Sequence, residues 1–153
     1  MEAVSNTTVL VLLSRVRELR LLELFDILIP SEVYEELFFQ NQRYQQSQDL
    51  LKKMKFEVLK PKIIISGLDK GECAALSLAI ARRKVFLSDD NKARNVGLAH
   101  SLEVIGTAGV LLLNVQQNRI TKKDALIILD KLVENGYYLS TDLYVKIRKL
   151  IES

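Results

Sequence analysis

At 153 residues, 48% apolar and 27% charged, the chain suits one ordinary globular core and is neither disordered nor collagen-like. A lone cysteine, Cys73, and a lone histidine, His100, exclude an internal disulfide, a Cys/His zinc site and a Ser-His or Cys-His hydrolase triad, so any catalysis must rest on carboxylates, hydroxyls, amides or Lys and Arg. The net charge of +3, with basic groups at Arg15–Arg20, Lys52–Lys55, Arg82–Lys84 and Lys146–Lys149, admits a polyanion held through its phosphates, or simply solvated helix faces.

Ala3 to Asn6 reads as a short first strand, with Thr7 or Thr8 capping a helix whose Val9, Leu12, Leu13 and Val16 recur at helical spacing. Leu21 to Leu24 form a short second helix. Phe25 to Pro30 is a strand stopped by proline, and Ser31 caps a long helix carrying Val33, Leu37, Tyr44 and Leu51 inward. The glutamine-rich stretch Gln40 to Gln48 is expected on an exposed part of that helix, as a protruding arm. Phe56 to Leu59 is a strand or extended edge, Lys70 to Arg83 a helix, and Val85 to Ser88 an apolar buried strand. A short helix ends near Gly97 or His100. Leu102 to Gly106 is a strand, Ala108 to Gln116 a helix, and Thr121-Lys122-Lys123-Asp124 resembles a capping box for a helix stopping before Gly136. Ser140 starts a last basic helix, against which Tyr137, Tyr138 and Tyr144 pack, unless they form a dimer face. Strands alternating with helices predict an α/β protein with a parallel sheet and helices on both faces, in a single domain over residues 1–153.

The chemistry concentrates in acids. The run Val85-Phe86-Leu87-Ser88-Asp89-Asp90 ends on two carboxylates, and ligands of open parallel sheets bind beyond the carboxyl ends of strands. A helix cap explains either Asp89 or Asp90 but not both. Asn6 ends the first strand and can be a neighbour of that pair across the switch point of the sheet. Glu72 starts the stripe Glu72, Ala75, Leu76, Ala79, Ile80; it either closes a capping box with Asp69 or faces the crevice as a metal ligand. Of Glu32, Glu35 and Glu36, Glu36 flanks the buried stripe of its helix and is the best placed to face a site.

Five segments, in order, carry a resemblance: Val4-Ser5-Asn6-Thr7-Thr8-Val9-Leu10, Ile29-Pro30-Ser31-Glu32-Val33-Tyr34-Glu35-Glu36-Leu37, Leu68-Asp69-Lys70-Gly71-Glu72-Cys73-Ala74-Ala75-Leu76, Phe86-Leu87-Ser88-Asp89-Asp90-Asn91-Lys92-Ala93-Arg94 and Val104-Ile105-Gly106-Thr107-Ala108-Gly109-Val110-Leu111. Together they resemble a PIN domain, most closely the archaeal and bacterial branch related to the VapC toxins. The resemblance implies a three-layer α/β/α fold with a central parallel sheet, often a homodimer, and a Mg²⁺- or Mn²⁺-dependent ribonuclease site of three or four acids. Position by position it implies Glu36, Glu72 and Asp90 as acids of the site, with Asp89 the competing alignment and the better cap. Asn6 stands where such domains usually carry aspartate, and Thr107 matches a hydroxyl position near the site. Asn6 can offer an amide oxygen to a hard cation or bond the attacking water, but brings no charge.

The expected activity is therefore hydrolysis of RNA phosphodiesters, with Arg15 and Arg94 on the phosphates. Its rivals are an impaired PIN-like module that binds RNA or protein, and a toxin-like subunit covered by an antitoxin. No apolar stretch nears the roughly 18 residues of a spanning helix, Met1 to Asn6 lacks a basic signal region, and one cysteine suits a reducing cytoplasm.

Overall fold

A computed structural model describes residues 1–39 and 48–153. The strands β1 (Glu2–Ser5), β2 (Asp26–Pro30), β3 (Glu57–Leu59), β4 (Val85–Leu87) and β5 (Val104–Ile105) form one sheet in the order β3-β2-β1-β4-β5, with every pairing parallel. Parallel neighbours cannot be joined by a tight hairpin, so helices carry the chain back across the sheet. They are α1 (Thr7–Arg15), α2 (Ser31–Phe38), α3 (Gln48–Lys52), α4 (Lys70–Arg82), α5 (Asn91–Ala99), α6 (Thr107–Gln116), α7 (Lys122–Glu134) and α8 (Thr141–Glu152), with a 3₁₀ turn at Leu19–Leu24. The result is a three-layer α/β/α fold around a parallel sheet, as the alternation of elements predicts.

Burial explains the sequence of each strand. Ala3 and Val4 of β1 and Phe86 and Leu87 of β4 are fully buried, which is why these central strands read as unbroken apolar runs. The edge strand β3 is mostly exposed. Lys60 and Pro61 follow it directly and discourage further strand pairing there. Beneath β4, α5 comes close at Gly97, where a Cβ would stand 3.0 Å from Val104 and 3.5 Å from the Phe86 ring.

Several boundaries differ from the sequence reading. Asn6, not Thr7 or Thr8, caps α1: its extended backbone (φ −81°, ψ 175°) turns Oδ1 back onto Val9 N–H. Ser31 does not cap α2, because Pro30 holds the cap position and the Ser31 hydroxyl donates to Glu32 instead. The long helix ends at Phe38, where Phe39 leaves helical geometry with φ −126°. Tyr44 and the glutamine-rich residues 40–47 lie outside the described residues, while Leu51 is buried on α3 as its spacing suggests. α4 ends at Arg82 because Arg83 turns left-handed (φ 53°).

Phe86 is fully buried on a central strand under the residues discussed next. Phe86→Ala is expected to destabilise the fold by about 3–5 kcal/mol in urea titration; a loss below about 1 kcal/mol would contradict this packing.

Candidate active site at the strand ends

The order of the sheet reverses between β1 and β4, since β2 and β3 lie to one side and β5 to the other. This is a topological switch point, where the strand ends leave a crevice. Asn6 bridges it. Its N–H donates to Leu87 C=O at 3.2 Å and its Nδ2 donates to Ser88 Oγ at 2.9 Å. Its Oδ1 accepts from Val9 N–H and Thr8 Oγ1, both at 3.2 Å, and the residue is only 2% exposed. An amide with these partners is a satisfied buried group, and the Val9 donor fixes which end is oxygen. Ser88 Oγ also accepts from Asp90 N–H at 3.1 Å, so the strand ends are knitted through one hydroxyl.

Glu36 sits half-buried on α2 against the start of α4. It accepts from Thr7 Oγ1 at 2.6 Å and from the Gly71 backbone N–H. The approach is close at Gly71, where a Cβ would stand 2.1 Å from Glu36 Oε1 and would displace that carboxylate. Burial raises the carboxyl pKa of Glu36, and the charge of Asp69 adds to the rise. Glu36 thereby ties the starts of α1 and α4 to α2.

Glu72 closes the capping box that its position suggests. Asp69 Oδ1 accepts from Glu72 N–H at 2.8 Å and the Glu72 carboxylate accepts from Asp69 N–H, a complete capping box. The same side chain borders the crevice. Its pKa is raised to about 7, first by burial, then by the negative charges of Asp69, Asp90 and Glu36.

At α5 the cap falls to Asp90 and not, as expected, to Asp89, with Asp90 Oδ1 accepting from Ala93 N–H at 2.8 Å. Asp89, one residue earlier, serves a different helix: its Oδ1 accepts from Thr107 N–H at 2.8 Å and its Oδ2 from Thr107 Oγ1 at 2.6 Å. The reason is that Gly106 holds the cap position of α6, and its lack of a side chain leaves the first turn without a local acceptor. Thr107 is fully buried with its hydroxyl given to Asp89, so it positions that carboxylate and does not reach the crevice.

Sequence reasoning missed Ser88, Thr7 and Tyr137. The Tyr137 hydroxyl approaches Asp89 Oδ1 at 3.4 Å and accepts from Ala108 N–H at 3.1 Å, and burial followed by the Asp89 charge raises its pKa strongly. Ser88 had a visible signal, a hydroxyl between an apolar strand and two acids; Thr7 and Tyr137 had none, because their partners are remote in sequence.

The crevice opens into a groove of about 1150 Å³ bordered by Glu72, Asp89, Asp90, Arg15, Arg94 and Lys146, among others. Arg94 is steadied by its own bond to Ser88 C=O at 2.9 Å. The family model described as DUF3368, a PIN domain, matches residues 2–153. The chain belongs to the PIN-domain family. No curated protein matches it. PIN domains are commonly nucleases, generally with divalent metals, and membership supports a hydrolase at that coarse level. No helix among the described residues is long and apolar enough to cross a membrane.

The donor set fits a divalent cation only in its sparsest form. Among the described residues no three His, Cys, Asp or Glu side chains group closely enough to hold a metal. Glu36 and Asn6 do not border the groove, whereas Glu72 and Asp90 do, close enough for the Asp90 charge to raise the Glu72 pKa. Mg²⁺ commonly takes one or two carboxylates and completes its shell with water and phosphate oxygens. That arrangement suits these residues; an all-protein cage does not.

The raised pKa of Glu72 sets a pH dependence. The unfolded chain loses this proton near 4.5 and the folded chain near 7. The proton's contribution to stability is therefore complete below 4.5 and is lost as pH rises to about 7. Glu72→Gln keeps the capping geometry without the charge. Thermal melts should show Glu72→Gln more stable than wild type at pH 8, with the gap closing toward pH 4.5. A gap independent of pH would show that Glu72 ionises normally.

Proposed function

We propose that this PIN domain hydrolyses RNA phosphodiesters with Mg²⁺ or Mn²⁺. The observation that carries the reading is the shared groove: Glu72, Asp90, Arg94, Arg15 and Lys146 all border it, and the Asp90 charge acts on Glu72. Glu72 and Asp90 would hold the cation. When bound, it would neutralise charge on the phosphate and make a water more acidic.

The chain's own residues supply the rest. Arg94, anchored through Ser88 C=O, meets a phosphate oxygen, and Arg15 and Lys146 guide the backbone without reading bases. Water attacks phosphorus and the opposite P–O bond breaks, giving hydrolysis. Asp89, held by Thr107, fixes the start of α6 beside the groove. Asn6 and Glu36 are positioning residues, buried or half-buried and already bonded. Asn6 therefore differs from the role its alignment implies: it joins β1 to β4 and caps α1, and at 2% exposure it is withdrawn from water in the groove.

A binding module without catalysis is the second reading, favoured by the lack of a three-carboxylate group among the described residues. Cleavage of single-stranded and structured RNA in Mn²⁺ separates the two. Asp90→Asn keeps a good helix cap and Glu72→Gln keeps the capping box, so each should lower the rate by at least about 10²-fold in a folded protein. Wild type inert in every metal, with Asn6→Asp active, would sink the catalytic reading. Cleavage untouched by Glu72→Gln would refute the site while leaving the enzyme.

A further inference from the structure

The segment after α7 displays one aromatic ring from a backbone held on both sides. α7 closes in a Schellman arrangement: Tyr137 N–H donates to Leu132 C=O at 2.9 Å and Gly136 N–H to Val133 C=O at 3.3 Å. Gly136 has φ +100°, a conformation that side-chain-bearing residues rarely adopt. Tyr137 then reaches Asp89 and Ala108 N–H through its hydroxyl, and both Tyr137 and Leu139 pack against the core. Between them Tyr138 is 97% exposed, and it borders the same groove as Glu72 and Asp90.

A ring so exposed adds almost nothing to the core. What it offers is an open π face beside a groove that carries cations as well as acids. Arg15, Arg94 and Lys146 also border that groove, and none of them makes an ion pair among the described residues. Cations that track phosphates, combined with an aromatic face that stacks bases, are the means of binding single strands without sequence preference. Bases inside a duplex are already stacked and present no free face.

We infer that Tyr138 is a stacking platform for an unpaired base, so that the groove takes single-stranded nucleic acid; that the strand is RNA rests on the nuclease reading above. Tyr138 borders the same groove as Glu72 and Asp90, so the stacked nucleotide and the acids share one groove.

Fluorescence anisotropy in EDTA, where turnover is suppressed, tests this with a short single-stranded RNA and its fully abasic counterpart of equal length. Tyr138→Ala should weaken RNA binding by roughly 5- to 150-fold, the range lost with one stacked base. Tyr138→Phe should retain it, because phenyl stacks as phenol does. On the abasic strand, wild type and Tyr138→Ala should bind alike. KM for cleavage in Mn²⁺ should follow the same pattern, and it serves where metal-free binding is too weak to read.

Tyr138→Ala equal to wild type on RNA overturns the inference. A dimer that dissociates in light scattering on Tyr138→Ala, with RNA binding kept, assigns the ring to contact between copies and overturns it as well. Wild type that cuts RNA but ignores Tyr138 removes only the stacking subsite. Wild type that neither binds nor cuts RNA removes the nuclease reading too.

Discussion

Helix N-termini need acceptors, and several of them crowd the carboxyl ends of the strands. α1, α4, α5 and α6 each begin with amide N–H groups that no intrahelical carbonyl can satisfy. Asn6 answers for α1, Asp69 and Glu36 for α4, Asp90 for α5, and Asp89, from outside the helix, for α6. The helix dipoles favour negative charge at these same ends. The acids are thus held in one region first by backbone donors, and any cation-binding property follows from that placement.

Crowding has an electrostatic consequence. Glu72 feels Asp69, Asp90 and Glu36, and its proton is retained to about 7. A capping carboxylate uses only part of its acceptor capacity, since two oxygens carry about four lone-pair sites. Asp90 gives Oδ1 to Ala93 N–H and still borders the groove, as Glu72 does. A divalent cation there would offset repulsion that the fold itself creates. Asn6 bears on the same balance: a neutral amide performs the capping and bridging at a position 2% exposed, where a carboxylate would add a further buried charge.

Much of the fold was legible because it depends on local patterns. Apolar runs marked β1, β2 and β4, and the Asp69-to-Glu72 and Thr121-to-Asp124 spacings marked the starts of α4 and α7. What escaped depends on direction and on distant partners. Asp89 and Asp90 are adjacent in sequence, yet one caps the helix ahead and the other supplies a helix beyond the next strand. Only the three-dimensional path, with Gly106 unable to cap α6, decides between them. Likewise the depth of Thr107 and its bond to Asp89 depend on the fold, and Tyr137 acquires its partner from a residue 48 positions away. The end of α2 at Phe38 was hidden because the helical spacing of apolar residues continues past it.

The central claim is that Glu72 and Asp90 together form a divalent-cation site. Calorimetric titration of Mn²⁺ into the folded protein near pH 8, above the Glu72 pKa of about 7, tests it most directly. The account predicts saturable binding by wild type, weakened at least about tenfold by Glu72→Gln and by Asp90→Asn, in line with the loss of one of two carboxylate ligands. Equal Mn²⁺ affinity in all three proteins, or none in wild type, would contradict it.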